Sequence, residues 1–267
     1  MSHFSVAVIT KGLPTEDDIE QIMAPYQENN MGDVSLEYLE FESIDDDELD
    51  DCKNSYGETC STQTFQEYMQ EQGYSYDRKT NKYGYYSNPN STWDWYQIGG
   101  RWAGMLQIRK NGSPLHQNGE LSWVWKNKNP YKSDNTEVIK CDSARINDLI
   151  LPNDSVAKEQ ARRFWELYVE QQEPQNEAER DLIRHTFFTS QYYLGTYKNK
   201  DNYVRCETTF STYAVITRDG EWHSQGTMGW FGCSVDDDRV QWIDGYKKLV
   251  FDSAEEDDYI TIVDCHI

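Results

Sequence analysis

The stretch from residue 88 to residue 106, N-P-N-S-T-W-D-W-Y-Q-I-G-G-R-W-A-G-M-L, constrains this chain more than any other. It holds Trp93, Asp94, Trp95, Tyr96, Gly99, Gly100, Arg101 and Trp102. Asn-Pro-Asn is a turn signal, the adjacent glycines admit backbone angles that a β-carbon forbids, and residues 103–109 then alternate like a strand. The order is turn, aromatic ledge, tight glycine turn, strand. Two roles fit it. The aromatics can be core, with Arg101 the buried partner of Asp94. Alternatively, Arg101 among aromatic rings can grip a planar or anionic group by stacking and forked hydrogen bonds.

Charge narrows the partners. With 25 Lys and Arg against 47 Asp and Glu, the formal net charge is −22. Such a surface repels phosphates, so direct contact with nucleic acid or anionic lipid is not expected. The acidity either keeps the protein soluble or offers a phosphate-like surface to a protein that handles nucleic acid. Three runs are candidates for the second role: residues 44–51, with Asp45, Asp46, Asp47, Glu48, Asp50 and Asp51, then residues 236–238 and 255–258. A run of this kind is ordinarily a solvated loop or helix end.

No apolar run approaches the roughly 20 residues that span a membrane. The N-terminus lacks the basic region and long apolar stretch of a signal peptide, so a cytoplasmic location is expected. The 6 cysteines include no C-x-x-C pair, which points to reduced structural thiols rather than a zinc ribbon or a disulfide framework. No metal and no cofactor are implied.

Periodicity lays out the elements. Residues 3–10 read as a strand and residues 15–24 as a helix with three acids in its first turn, stopped by Pro25. Residues 34–41 alternate as a second strand, giving a β-α-β opening without a Gly-rich phosphate loop. Residues 62–72 have helical spacing, and the tyrosine-rich 74–87 is an insertion or hairpin. Residues 105–109 and 121–125 look like meander strands and 127–135 like a loop. The clearest helix covers 155–173, with Ala157, Ala161, Phe164, Trp165 and Tyr168 on one stripe. A second follows Pro174 at 177–193; His185 within it reads as an ordinary core or surface histidine. Residues 210–217, the turn Arg218-Asp219-Gly220 and residues 221–223 form a hairpin. A glycine-aromatic element follows at 226–232, then a helix at 235–250 and a terminal strand at 259–267. The expected fold is α+β: a mixed, mainly antiparallel sheet joining both termini, with a helical excursion in the middle. The segments are 1–150, a helical insertion at 151–204, and 205–267, together forming one compact unit.

Chemistry is harder to find. No G-x-S-x-G, H-E-x-x-H, Walker or kinase signature is present. The polar candidates are Asp94, Arg101, His223, Asp264 and His266, with the thiols of Cys233 and Cys265. Neighbours on a strand face opposite ways, so Cys265 and His266 cannot enter one site together. Asp264 and His266 do share a face, and could meet His223 if the hairpin lies alongside, as a carboxylate–histidine pair suited to acid–base work. A strand-end polar cluster is the plainer reading.

The motifs N-P-N-S-T-W-D-W-Y-Q-I-G-G-R-W, T-Y-A-V-I-T-R-D-G-E-W-H-S-Q-G-T-M-G-W-F-G and V-D-C-H, with the opening H-F-S-V-A-V-I-T and A-P-Y at residues 24–26, cover about a third of the chain. In these it resembles a group of largely uncharacterised proteins encoded by bacteriophages, prophages and some bacteria. The acidic segment 42–60 and the helices of 155–200 lie outside the resemblance. It implies a phage setting and a place in the host cytoplasm. By analogy, small, strongly acidic phage proteins are often counter-defence factors that occupy host nucleases. The leading expectation is therefore a non-catalytic inhibitor of a host defence nuclease or other host protein, anchored by exposed aromatics. An enzyme or nucleotide-like ligand binder is the alternative. Trp93, Trp95, Tyr96, Trp102, Trp222 and Trp230 would line its pocket, Arg101 would grip an anion, and His223 or His266 would move protons. A virion role ranks last, since the chain has no heptads or internal repeats. Self-association is compatible with the aromatic content.

Overall fold

The computed structural model describes residues 2–59, 63–110, 112, 117, 129–151, 155–228, 234–236 and 238–267. In chain order the first elements are β1 (His3–Lys11), α1 (Glu16–Met23), β2 (Glu40–Ser43), α2 (Asp46–Thr59), α3 (Phe65–Glu71), β3 (Ser75–Asp77), β4 (Lys82–Ser87), β5 (Trp95–Ile98) and β6 (Leu106–Arg109). Then come β7 (Val138–Cys141), β8 (Ser143–Arg145), α4 (Ser155–Tyr168), α5 (Glu177–Arg184), α6 (Ser190–Tyr197), α7 (Lys200–Thr208) and β9 (Ala214–Ile216). The last are β10 (Trp222–Ser224), β11 (Gly226–Met228), β12 (Ser234–Asp236), α8 (Arg239–Tyr246) and β13 (Asp258–His266). The chain divides into two units, Met1–Ile22 with Tyr96–Ile267, and Met23–Trp95. This division differs from a split at residues 150 and 204.

In the larger unit a mixed, mainly antiparallel sheet carries both termini, in the order β10-β9-β1-β13-β5, with β8 also on β13. β1 and β13 pair antiparallel from His3↔His266 to Lys11↔Asp258, and β1 lies parallel to β9. All nine residues of β13 are buried, as are seven consecutive residues of β1. Strands covered on both faces carry apolar residues on both, and both of these were expected as strands from the sequence. One face carries Ala7, Ile9, Val215, Ile260 and Ile262, packed with Trp102 and with Trp242, Tyr246 and Val250 of α8 and its π-helical continuation to Asp252. The other carries Val6, Val8, Ala214 and Ile216.

The β-α-β opening does not form. The neighbours of β1 are β13 and β9, whereas β2 pairs with β4. Within 34–41 only residues 40–41 are strand; Leu36–Tyr38 is a 3-10 turn with Leu36 exposed. Apolar alternation does not make a strand where one face has nothing to bury it. The expected helix at 177–193 is two, because Thr189 accepts the Tyr192 amide and starts α6 afresh. Asn176 caps α5 and Asn199 caps α7 in the same way. Side-chain oxygens at these positions satisfy amides that a helix start leaves open. α4, α6 and α7 share a second core around Phe164, Trp165, Tyr197 and Tyr203, joined by Ile243 of α8. The expected helix at 235–250 opens as β12, and Asp238 caps α8. The expected strand at 121–125 lies outside the described residues.

The smaller unit contains the sheet β2-β4-β3 and helices α2 and α3. Thr64 and Glu67 form a reciprocal capping box at the start of α3. The Asn-Pro-Asn turn is structural: the Asn88 amide donates to the carbonyls of Pro25 and Gln27 at 2.8 and 2.9 Å, and its oxygen accepts the Asn90 amide. Among the described residues no helix is long and apolar enough to cross a membrane.

Candidate functional site

The Gly-Gly-Arg-Trp turn sits between two buried carboxylates. Gly99 and Gly100 both adopt positive φ, +73° and +50°. The Gly99 amide donates to the Ile262 carbonyl at 2.8 Å, which ties the turn to β13. Beyond it, the Arg101 amide donates to Asp264 Oδ2 at 2.8 Å, and the Gly104 amide donates to Asp142 Oδ1 at 2.7 Å. The Tyr131 hydroxyl donates to Asp142 Oδ2 at 2.6 Å. Both aspartates lie against the glycines: a β-carbon on Gly99 would stand 2.7 Å from the Asp142 carboxyl, and one on Gly100 would stand 2.4 Å from Asp264. The glycines therefore serve twice, for conformation and for room.

Asp264 has a second partner, the ring of His3, whose Nδ1 lies 2.8 Å from Oδ1. The His266 ring stands edge-on to His3, 5.1 Å between centroids. Of the grouping anticipated from the sequence, His266 shares the sheet face of Asp264 and stands beside His3, whereas His223 does not join them. His223 does share the sheet face, but its strand β10 is separated from β13 by β9 and β1. At about 4.8 Å per strand, that is roughly 14 Å. His223 instead lies 3.6 Å from Glu221 and borders a cavity of about 400 Å³ with Arg218, Lys248 and Asp258. A histidine oriented by a carboxylate is equipped for proton transfer where it meets a substrate. The side chains of His3 and Asp264 are 8% and 2% exposed and His266 is 6% exposed. Buried that deeply, the cluster braces the turn against the paired termini.

The aromatic candidates separate. Trp102 packs against the α8 core. Trp222 pairs with Ile216 on the opposite sheet face and meets the Phe4 ring edge-on at 6.4 Å. Those two rings do not converge. Tyr96 is half-buried, and burial, reinforced by Glu20, Cys265 and Glu16, pushes its phenol up to about 12. In the smaller unit Trp93 is buried, bridged to Gln27, while Asp94 is half-buried and Trp95 exposed. Trp230 and Cys233 lie outside the described residues. The Cys141, Cys206 and Cys265 thiols are buried. Among the described residues no group of His, Cys, Asp and Glu is arranged to hold a metal.

Asp142 and His3 escaped the sequence reading. Asp142 had one usable signal, an acid lodged inside the strand-like V-I-K-C-D-S-A. His3 carried none, being one residue of an apolar alternation.

The acidic runs differ in fate. Asp45, Asp46, Asp47, Glu48, Asp50 and Asp51 are all exposed at the start of α2, where acids suit the helix dipole. Asp45 also accepts the Glu48 amide, and Tyr74 donates to Glu48, a bond that pushes the Tyr74 phenol up to about 12. Elsewhere Asp238 is spent capping α8, Glu255 pairs with Arg218 at 2.7 Å, and Asp258 is buried. No family model, curated protein or solved structure matches the chain.

Proposed function

We propose that this is a phage-encoded counter-defence protein that binds and inhibits a host DNA-handling nuclease complex without catalysis of its own. The observation that carries the reading is the concentration of charge in one unit. Residues 23–95 hold 16 Asp and Glu against 4 Lys and Arg, a net of −12 out of −22 in about a quarter of the chain. The six acids of 45–51 stand in solvent there, and Tyr76, Tyr85 and Trp95 of the same unit are each more than 40% exposed. Solvated carboxylates steer a basic partner to the encounter, and exposed rings supply the desolvated anchor. The phage setting rests on the motif resemblance.

The test is affinity capture of the full chain from a nuclease-defended host at low and high salt, followed by a cleavage assay on what is captured. Stoichiometric capture of a defence nuclease, weakened by salt and by Asp45→Asn/Asp46→Asn/Asp47→Asn, with DNA cleavage inhibited, is the expected result. Capture without inhibition, or indifference to those substitutions, would overturn it.

A further inference from the structure

We infer that the chain pairs with a second copy of itself through the aromatic corner between α5 and α6. Four apolar side chains stand in solvent there: Phe187 at 95% exposure, and Phe188, Tyr192 and Leu194 at about half. The corner is held in shape. Phe188 stacks on Tyr192 with 4.2 Å between centroids, the Tyr168 hydroxyl donates to the Phe188 carbonyl at 2.7 Å, and Thr189 caps the helix that follows. A preorganised ring cluster loses little conformational entropy when covered, and apolar side chains gathered in one exposed patch, unlike single ones, mark contact surfaces.

Charge selects the occupant. Residues 155–208 hold 8 Lys and Arg against 9 Asp and Glu, a net of −1, in a chain of net −22. Two copies repel through most of their charge, and this segment is nearly free of that repulsion. On α5, Arg180 pairs with Glu177 and Arg184 with Glu177 and Asp181, all more than half exposed, so these four side chains together carry no net charge. In a two-fold contact the same patch meets itself, so a nearly neutral segment is one that two acidic copies can bring together. A basic partner, by contrast, is drawn to the acidic residues 23–95. The contact is small. Exposed aromatics bring roughly 150–250 Å² each at full burial, against about 800 Å² per partner in a standard interface. The rings supply about half, the polar faces of α5 and α6 the rest, and the dimer is weak and concentration-dependent.

Sedimentation velocity and light scattering on the full chain, from low to high micromolar concentration, test this. The expected result is a shift from 31.4 kDa to twice that mass, strengthened by added salt because screening removes mutual repulsion. Phe187→Glu, at a side chain in full solvent, leaves the circular dichroism unchanged and abolishes the shift. A wild-type chain that stays monomeric at every concentration and salt, or a Phe187→Glu chain that dimerises equally well, overturns the inference.

Discussion

Gly100 approaches Asp264 so closely that a β-carbon on the glycine would lie 2.4 Å from both Cβ and Oδ2 of the aspartate. The glycine is thereby required twice over, since its φ of +50° is one that side chains rarely adopt. Gly100→Ala is expected to lower the unfolding free energy by roughly 2–3 kcal/mol, read by chemical denaturation. Gly245 makes the contrast. It lies inside α8 with open space where a β-carbon would go, so Gly245→Ala should stabilise by about 0.5–1 kcal/mol. Equal effects at the two glycines would refute this account.

Removing His3 leaves the Asp264 carboxylate buried without the ring that meets its Oδ1. His3→Ala should cost about 3 kcal/mol. Asp264→Asn keeps an oxygen for the Arg101 amide and should cost about 1–2 kcal/mol. Paired denaturation curves of the two variants decide it, and a His3→Ala chain as stable as wild type would show that the pair does not brace the termini.

Tyr131 closes the carboxylate of Asp142 on the other side of the glycine turn. Tyr131→Phe keeps the ring and deletes the donor, with an expected loss of about 1–2 kcal/mol. Since the Gly104 amide still holds Oδ1, Asp142→Ala should cost more than Tyr131→Phe. The reverse order would contradict the geometry.

Acid should loosen the helical region. The hydrogen bond from Arg163 holds Glu179 below the usual carboxylate range, and those from Lys200 and then Arg163 do the same for Glu166. A carboxylate with a depressed folded value contributes stability that is present above its unfolded value, about 4.3 for glutamate. That stability is lost as pH falls through the folded value. Melting temperature should therefore drop below about pH 4.3, and Arg163→Met should flatten the drop. A steeper decline in Arg163→Met would be inconsistent with this sign.

Much of the fold was legible because its signals are local. β1 was legible as an apolar alternation and β13 as a terminal strand, Pro25 as a stop, and the Gly-Gly pair as a turn. Asn176, Thr189 and Asn199 were available as caps, though periodicity alone merged α5 with α6 and missed α7. The candidate site was legible in part. Asp264, Arg101 and the glycines belong to one cluster, but Trp102 and Trp222 went to opposite faces of the sheet, and His223 lies strands away from Asp264.

Sequence alone determined the mixed α+β class, the strands of the two ends and a formal net charge of −22. Only the tertiary structure decided that β1 lies between β13 and β9 rather than beside β2, and that His3 rather than His223 meets Asp264. The reason is physical. A ladder hydrogen bond is the same whichever strand supplies the other half, and closing a longer loop costs only logarithmically more. The choice among partners falls to burial on both faces, which no local stretch of the chain records.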